Sequence, residues 1–398
     1  MSKKNIYLMY AIGCLQGMVF YGPIATLYRQ AQGVTVFEIT LIESISLALC
    51  LLLELPWGIV ADKIGYKHTM VICCLLYFIS KIVFWRADGF PAFLLERILL
   101  SVVIAGLSGV DTSILYLSTP KEDSQKVFGL YDGLSTAGLL TAAFIYSIVI
   151  GENYRLAGFL TVVSYGLAAL LSFFLTEVGE KGKERMSIKG FCGSLRQTLT
   201  DKRLLFFLLG TAFLIETHQT VTVFLNQLLY VRAGMTNALI GYLYIVVTIV
   251  GIGGIFSAAI TKKIGRNFLI RVCYLTSALV CLLLAFTGSS WGAAMGIMAF
   301  RLAFSFFSPL QTQIQNERIV TAERATALSI NAVIIDSVGI GTNLIYGALA
   351  EKSLTAALVS GGVLCAVGLG LVEIGKHETF TKISAYDRII KNKKSEKD

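Results

Sequence analysis

Apolar residues in this chain come in long runs broken by short polar stretches. Twelve such runs can be placed, at 5–27, 37–61, 69–87, 92–118, 128–150, 155–176, 204–229, 236–261, 268–287, 291–314, 327–349 and 354–374. A hydrocarbon layer of about 30 Å takes roughly 17 to 25 helical residues to cross, so each run predicts a spanning segment. Lipid offers the backbone no hydrogen-bond partner, which makes these segments helices rather than strands. A few charges interrupt the pattern: Lys81 and Arg86 near one end of the third run, Arg271 in the first turn of the ninth, and Arg97 and Arg301 inside the fourth and tenth.

Composition strengthens this picture. Charged residues make up 15% of the 398 residues and hydrophobic residues 55%. A soluble chain carries roughly 25% charged residues, so this one has too few to coat a surface facing water. The predicted fold is therefore all-α, a polytopic membrane protein with twelve transmembrane helices.

The longest polar stretch, "EVGEKGKERMSIKGFCGSLRQTLTDKR" at 177–203, holds seven lysines and arginines and divides the spans six and six. It predicts an N-terminal six-helix bundle (1–176), a linker (177–203), a C-terminal six-helix bundle (204–375) and a tail (376–398). Part of the linker, "SIKGFCGSLRQTL", either lies along the membrane face as an amphipathic segment or is simply solvated. The two halves share a weak repeat. At an offset of 200, "ELPWGIVADKIGYK" lies over "GIFSAAITKKIGRN", matching Lys63 to Lys263, Ile64 to Ile264 and Gly65 to Gly265, while Asp62 meets Lys262. At an offset of 204, "LLERILLS" lies over "MAFRLAFS" and Arg97 meets Arg301. Pseudo-symmetric six-helix halves are how many transporters build alternating access around a central site.

Charge sets the orientation. With the N-terminus inside, 26 of the 34 lysines and arginines fall on the inner side. Under the positive-inside rule this places both termini in the cytoplasm and the protein in the cytoplasmic membrane. The formal charge of +9 is then mostly an inner-surface charge, and no basic stripe on a polar domain points to nucleic acid. Seven of the eight cysteines lie in apolar runs and Cys192 lies in the linker, which suggests neither a disulfide framework nor a zinc site. The N-terminal run reads as a retained first span rather than a cleaved leader.

The hairpin between spans 2 and 3, "GIVADKIGYKH", ends an apolar helix on an acid. Asp62 sits where the helix presents its negative pole, so something must compensate it. Candidates are another helix N-terminus, backbone N–H groups in the turn at Gly65, or Lys63 and Lys67. Gly65 suits a turn that side chains would obstruct, and Gly58 suits close packing on a neighbouring helix. A charged hairpin that merely obeys topology rules remains the plain alternative.

The spacing of Gly58, Asp62, Lys63, Gly65, Tyr66 and Lys67 resembles the signature loop between helices 2 and 3 of the major facilitator superfamily. With Glu54 and Pro56, "LELPWGIVADKIGYK" is similar to bacterial members grouped with proton-driven drug efflux proteins, and "FLLERILLSVVIAG" resembles their helix 4 pattern. The resemblance implies a conformational gating role for Gly58, Asp62, Lys63, Gly65 and Lys67, and a link between Arg97 and proton coupling. It also implies that helices 1, 4, 7 and 10 line a central cavity. Tyr66 stands where the family usually has arginine, and helix 5 ("GLSTAGLLTAAFIYSIVIG") lacks the proline of the antiporter pattern.

Polar residues inside membrane spans are costly and usually face a cavity or a partner. On span 4, Arg97, Ser108 and Asp111 share a face, because their separations are close to three and four helical turns, with Arg97 and Asp111 about 21 Å apart along it. Span 10 offers Arg301, Ser305, Ser308, Thr312 and Gln315. Span 7 offers Glu216, Gln219, Thr220 and Gln227, and span 1 offers Gln16 with Pro23 nearly in line. These stripes line a cavity or bond helix to helix. His218 stands about 160° around its helix from Glu216 and is either a proton carrier or a packed side chain. Asp336 and Asn343 share a face of span 11 and can bond a neighbouring helix, as can Glu43 on span 2, while Asp132 suits a helix start. Asp111 and Glu216 are the acids expected to couple transport to protons.

The three histidines, His68, His218 and His377, are scattered, and neither a phosphate loop nor a nucleophile elbow appears. No enzyme, metal site or cofactor is expected. The expected function is secondary active transport of a small organic solute by a monomer, as proton-coupled export, with an amphipathic or cationic substrate. Uptake of a nutrient or metabolite would use the same architecture, and a non-transporting sensor or scaffold would keep the fold without flux.

Overall fold

The computed structural model describes residues 3–119, 124–178, 199–318 and 324–395. Among these are twelve helices long and apolar enough to cross a membrane. The first half holds α1 (Lys3–Ala31), α2 (Val36–Ile64), α3 (Tyr66–Arg86), α4 (Gly89–Ser118), α5 (Val127–Ile150) and α6 (Tyr154–Ser172). The second holds α7 (Lys202–Arg232), α8 (Asn237–Ile264), α9 (Arg266–Phe286), α10 (Ser290–Arg318), α11 (Arg324–Lys352) and α12 (Leu354–Ser395). Their even number brings both ends of the chain to one face, called here the terminal face, opposite the far face. Residues 179–198, which contain most of the expected linker and its amphipathic segment, lie outside the described residues. The last helix continues past the expected end of its span to Ser395.

Each half packs as a bundle. In the first, α1 packs on α5 and α6, α3 on α4 and α6, and α2 on α4. In the second, α7 packs on α11 and α12, α9 on α10 and α12, and α8 on α10. The halves meet mainly through α2 on α11 and α5 on α8.

The repeat read from the sequence has a conformational counterpart. Gly65 and Gly265 both end a helix at positive φ, with φ, ψ of 94°, 156° and 87°, 145°. Only glycine adopts this region without strain, which explains why both copies keep it. A second matched pair closes α1 and α7: Gly33 (φ 81°) precedes the N-cap Thr35, and Gly234 (φ 75°) precedes the N-cap Thr236. Thr35 forms a full capping box with Glu38, whereas Thr236 accepts only from Leu239 N–H.

The hydrogen bonds joining the halves lie between the membrane centre and the far face. Gln227 Oε1 accepts from the N–H groups of Thr26 (2.8 Å) and Leu27 (3.2 Å). Phe37 N–H donates to Glu351 (3.1 Å), Asn237 Nδ2 to Tyr154 (3.0 Å) and Ser44 Oγ to the Ile340 carbonyl (3.1 Å). Towards the terminal face the described bonds stay within one half: Asn5 to Thr176, His68 to Glu177, Arg266 to Glu317 and Arg271 to Glu373. Among the described residues, the bonds between the two bundles thus gather towards the far face and form a latch there.

Three irregularities change how polar residues project. α1 is interrupted between Gly17 and Gly22. α4 breaks at Gly109, whose φ of 80° is left-handed, and restarts at Val110. α7 carries a π-helical turn over Thr220–Leu225. Such turns add a residue to the helical repeat and often mark functional sites.

Candidate coupling site between the two bundles

Arg97 on α4 points at α2. Its guanidinium pairs with Glu43, and its Nε donates to Ser46 Oγ at 3.1 Å. Ser46 and Ser101 hydroxyls lie 2.8 Å apart, and Ser101 Oγ also donates to the Arg97 carbonyl at 2.8 Å. The arginine is therefore neutralised and held by a serine network. Its acid lies 54 positions away in the chain, a distance over which periodicity carries no signal.

Arg301 on α10, its counterpart by offset, is surrounded differently. Its NH1 lies 3.4 Å from His218 Nε2 on α7. The His218 ring stacks on Phe304 at 3.8 Å and meets Phe300 edge-on at 5.7 Å. Across from it, a Cβ placed at Gly251 of α8 would lie 2.6 Å from Arg301 Nε, so this glycine admits the guanidinium. Among the described residues no carboxylate pairs with Arg301. His218 thus has a cation as its neighbour, a relation that sequence spacing between α7 and α10 does not reveal.

Glu216 on α7 is only 6% exposed. Its carboxyl packs on Gly339 of α11, where an added Cβ would come within 2.7 Å of it. Asp336 of α11 and Glu43 of α2 lie within its electrostatic reach. Where α2, α7 and α11 converge, three carboxylates from both halves therefore come within electrostatic reach of Glu216 or of one another, and one of them, Glu43, is paired with Arg97. Glu216 and His218 project to different neighbours, as their angular separation requires.

The remaining expected site residues are distributed over several places. The helix that carries Arg97 runs to Leu107 with Ser108 as its C-cap, and the break at Gly109 takes Asp111 out of the Arg97 register. Ser108 is exposed, and Asp111 accepts from Thr112 N–H at 2.6 Å in the first turn of the restarted helix, with Asp132 of α5 close enough to interact. Gln16 turns into its own bundle, donating to Cys74 Sγ of α3 at 3.4 Å. Gln219 is exposed on α7, while Thr220 donates to Asn343 of α11 at 3.2 Å. Gln227, beyond the π turn, leaves the stripe and serves the far-face latch. Ser305 is buried and donates to the Leu302 carbonyl at 2.8 Å, Ser308 is half-buried, and Gln315 accepts from Asn331 of α11 at 3.4 Å. No cluster of metal-ligating side chains occurs among the described residues.

At the hairpin, the surroundings of Gly58 and the side chain of Asp62 are not among those described. Lys63 is exposed. Glu177, just after α6, accepts from Lys67 N–H at 3.2 Å and approaches His68 Nδ1 at 3.3 Å. Its carboxylate also sits 2.5 Å from where a Cβ at Gly65 would be. These contacts tie the hairpin to its own half.

Comparison with known proteins agrees with this architecture. The family model described as Major Facilitator Superfamily matches residues 6–343. An MFS-type transporter of Methanocaldococcus jannaschii is 26% identical over 196 residues, 47% of this chain and 50% of that protein, so the match spans about half the length of each. A protein of Lactococcus lactis named as a homolog of the multi-drug resistance efflux pump PmrA is 27% identical over 326 residues, 76% of each chain. The crystal structure of the nucleoside transporter NupG superposes with a TM-score of 0.74 at 16% identity, covering 94% of this chain and 98% of that one, a likeness of fold. With the family model matching most of its length, the chain belongs to the Major Facilitator Superfamily: it is a secondary transporter that moves a small molecule by alternating access, not an enzyme.

Proposed function

We propose that the protein exports a small amphipathic or cationic organic molecule across the cytoplasmic membrane in exchange for protons, with Glu216 as the proton-carrying group. The observation that carries this reading is the charge imbalance where the bundles meet. The buried Glu216 and Glu43 and the half-buried Asp336 lie where the bundles meet, with a single paired guanidinium. Water is scarce there, and an uncompensated carboxylate is costly. Either a proton or an organic cation supplies the missing positive charge, and the two exclude each other.

The lysine and arginine bias makes the terminal face cytoplasmic. A solute would then enter from the cytoplasm past Asp111 and Asp132, while the far-face latch excludes the exterior. Binding of a cation at Glu216 releases the proton, and closure of the cytoplasmic side with opening of the latch delivers the solute outside. Reprotonation from outside resets the cycle. Similarity to a protein named for multi-drug efflux supports the outward direction. The hairpin residues Gly58, Asp62, Lys63, Gly65 and Lys67 are assigned to gating of the cytoplasmic side. Gln219, Arg301, Ser305 and Ser308 are assigned to the pathway wall.

The test is transport of a lipophilic cationic dye in proteoliposomes under an imposed pH gradient. Gradient-driven dye movement by the wild type, abolished by Glu216→Gln while dye binding persists, is the expected result. Gradient-driven movement that survives Glu216→Gln unchanged overturns the assignment of the proton to this residue.

A further inference from the structure

A second buried ion pair lies behind Arg97, inside the first bundle and away from the interface. Lys81 of α3 and Glu96 of α4 approach to 3.5 Å, with side chains 5% and 1% exposed. The Lys81 ammonium also donates to Tyr21 OH at 3.0 Å and lies 5.8, 5.0 and 5.4 Å from the ring centres of Tyr21, Tyr77 and Tyr165. Three aromatic rings around one ammonium hold it in place by cation–π attraction. Glu96 is less completely satisfied, because its Oε2 is buried with no hydrogen-bond partner. Its neighbour in sequence is Arg97, whose guanidinium pairs with Glu43. Arg29, also buried and lying 5.6 Å over the Phe84 ring, is the other cation of this neighbourhood.

Glu43, paired with Arg97 across the helix contact, and Glu96, adjacent to it in sequence and with one oxygen unpartnered, are the two acids placed to receive this guanidinium. Arg97 has five donors on a long stem, and Glu96 has an oxygen free to receive one. Lys81 is what makes the competition one-sided. We propose that Lys81 is a positioning residue for the interface site: by engaging Glu96 within the tyrosine cage, it leaves Arg97 committed to Glu43. Without that ammonium, Glu96 loses the one cation paired with it among the described residues, and a buried carboxylate left so draws in a nearby guanidinium. Arg97 then turns from α2 towards Glu96, and Glu43 loses its partner beside Glu216. This inference rests on the role given above to the Arg97–Glu43 pair, but it concerns the pair's geometry and can be read without any transport measurement.

The experiment is hydrogen–deuterium exchange of the purified full chain in detergent, comparing wild type, Lys81→Met, Lys81→Arg and the double variant Lys81→Met/Glu96→Gln. Loss of Lys81 should accelerate exchange in the α2 segment around Glu43 by about tenfold, as expected when a buried charge loses its partner and its helix opens locally. Lys81→Arg should keep wild-type protection there, and the double variant should recover it, because no carboxylate remains to draw Arg97 away. Faster exchange confined to α3 and α4, with α2 unchanged, would mean that Lys81 only packs its own surroundings and would overturn the proposal. Should Lys81→Met not fold, melting of Glu43→Gln, Glu96→Gln and their double variant reads the same competition. A loss in the double variant larger than the two single losses combined supports it, since Arg97 then has no acid left; simple additivity overturns it.

Discussion

Arg97 and Arg301 occupy matching positions in two halves related by an internal repeat, yet their surroundings differ in kind. Arg97 has a carboxylate partner and a serine network. Arg301 has an imidazole, a stacked phenylalanine and a glycine that gives it room. The second half has instead placed Glu216 against Gly339 of its own α11, with Asp336 and the partner bundle's Glu43 in electrostatic reach, and has paired neither acid with its own arginine. A repeat thus preserves where a charge enters a helix without preserving what balances it. Divergence of the partners makes one half a neutralised wall and the other the bearer of titratable groups at the junction.

Removing each arginine should break this comparison most visibly. Arg97→Ala leaves Glu43 buried and unpaired and should destabilise the protein by about 3–5 kcal/mol. Arg301→Ala strands no carboxylate and should cost about 1 kcal/mol, the scale of one ordinary hydrogen bond. Equal losses in thermal or denaturant unfolding would mean that the two sites are balanced alike after all.

The next effect sharpens the contrast at the junction. Gly339→Ala forces a methyl group against the Glu216 carboxyl and should cost about 1–3 kcal/mol through overpacking. Gly251→Ala forces one against Arg301, whose long side chain can bend away from it. Its cost should be smaller, and unfolding of the two variants side by side checks the order.

A comparable loss is expected at the latch. Gln227→Ala leaves the Thr26 and Leu27 N–H groups without their acceptor, at about 1–3 kcal/mol for a buried group left unsatisfied. Because those bonds join the halves, the loss falls on the far-face-closed state. Cross-linking between α1 and α7 near the far face should decrease, and unchanged cross-linking would remove Gln227 from the latch. The smallest effect compares the two helix caps. Thr35→Ala disrupts a reciprocal capping box and should cost about 1 kcal/mol, while Thr236→Ala loses a single bond and should cost about 0.5 kcal/mol.

Much of the fold is legible in the sequence because lipid imposes a requirement that each segment meets alone. Every spanning helix must be long, apolar and internally hydrogen-bonded, so the runs from 5–27 to 354–374 mark the helices before any contact is known. The glycines at 65 and 265 are legible for a similar reason, since the turn they make demands positive φ. The candidate site is less so. Arg97, Glu216 and Arg301 stand out as charges in apolar runs, and Glu43 and Asp336 could be named as groups able to bond a neighbour. Their pairings could not, because helical periodicity relates residues only along one straight helix. Even there it fails where the helix is irregular: Gly109 severs Asp111 from the Arg97 stripe, and the π turn sends Gln227 to another helix than Glu216.

By itself, the sequence determined the number of helices, their division into two repeated halves, the polar positions within them and the glycine turns between them. These follow from local demands of backbone hydrogen bonding, hydrophobic length and allowed dihedral angles. Only the tertiary structure decided which acid neutralises Arg97, that His218 lies beside Arg301, that Lys81 and Glu96 pair behind the interface, and that the halves are joined at one face. Each of these depends on how neighbouring helices rotate and cross, because electrostatic partners are chosen by proximity in space and not by order along the chain.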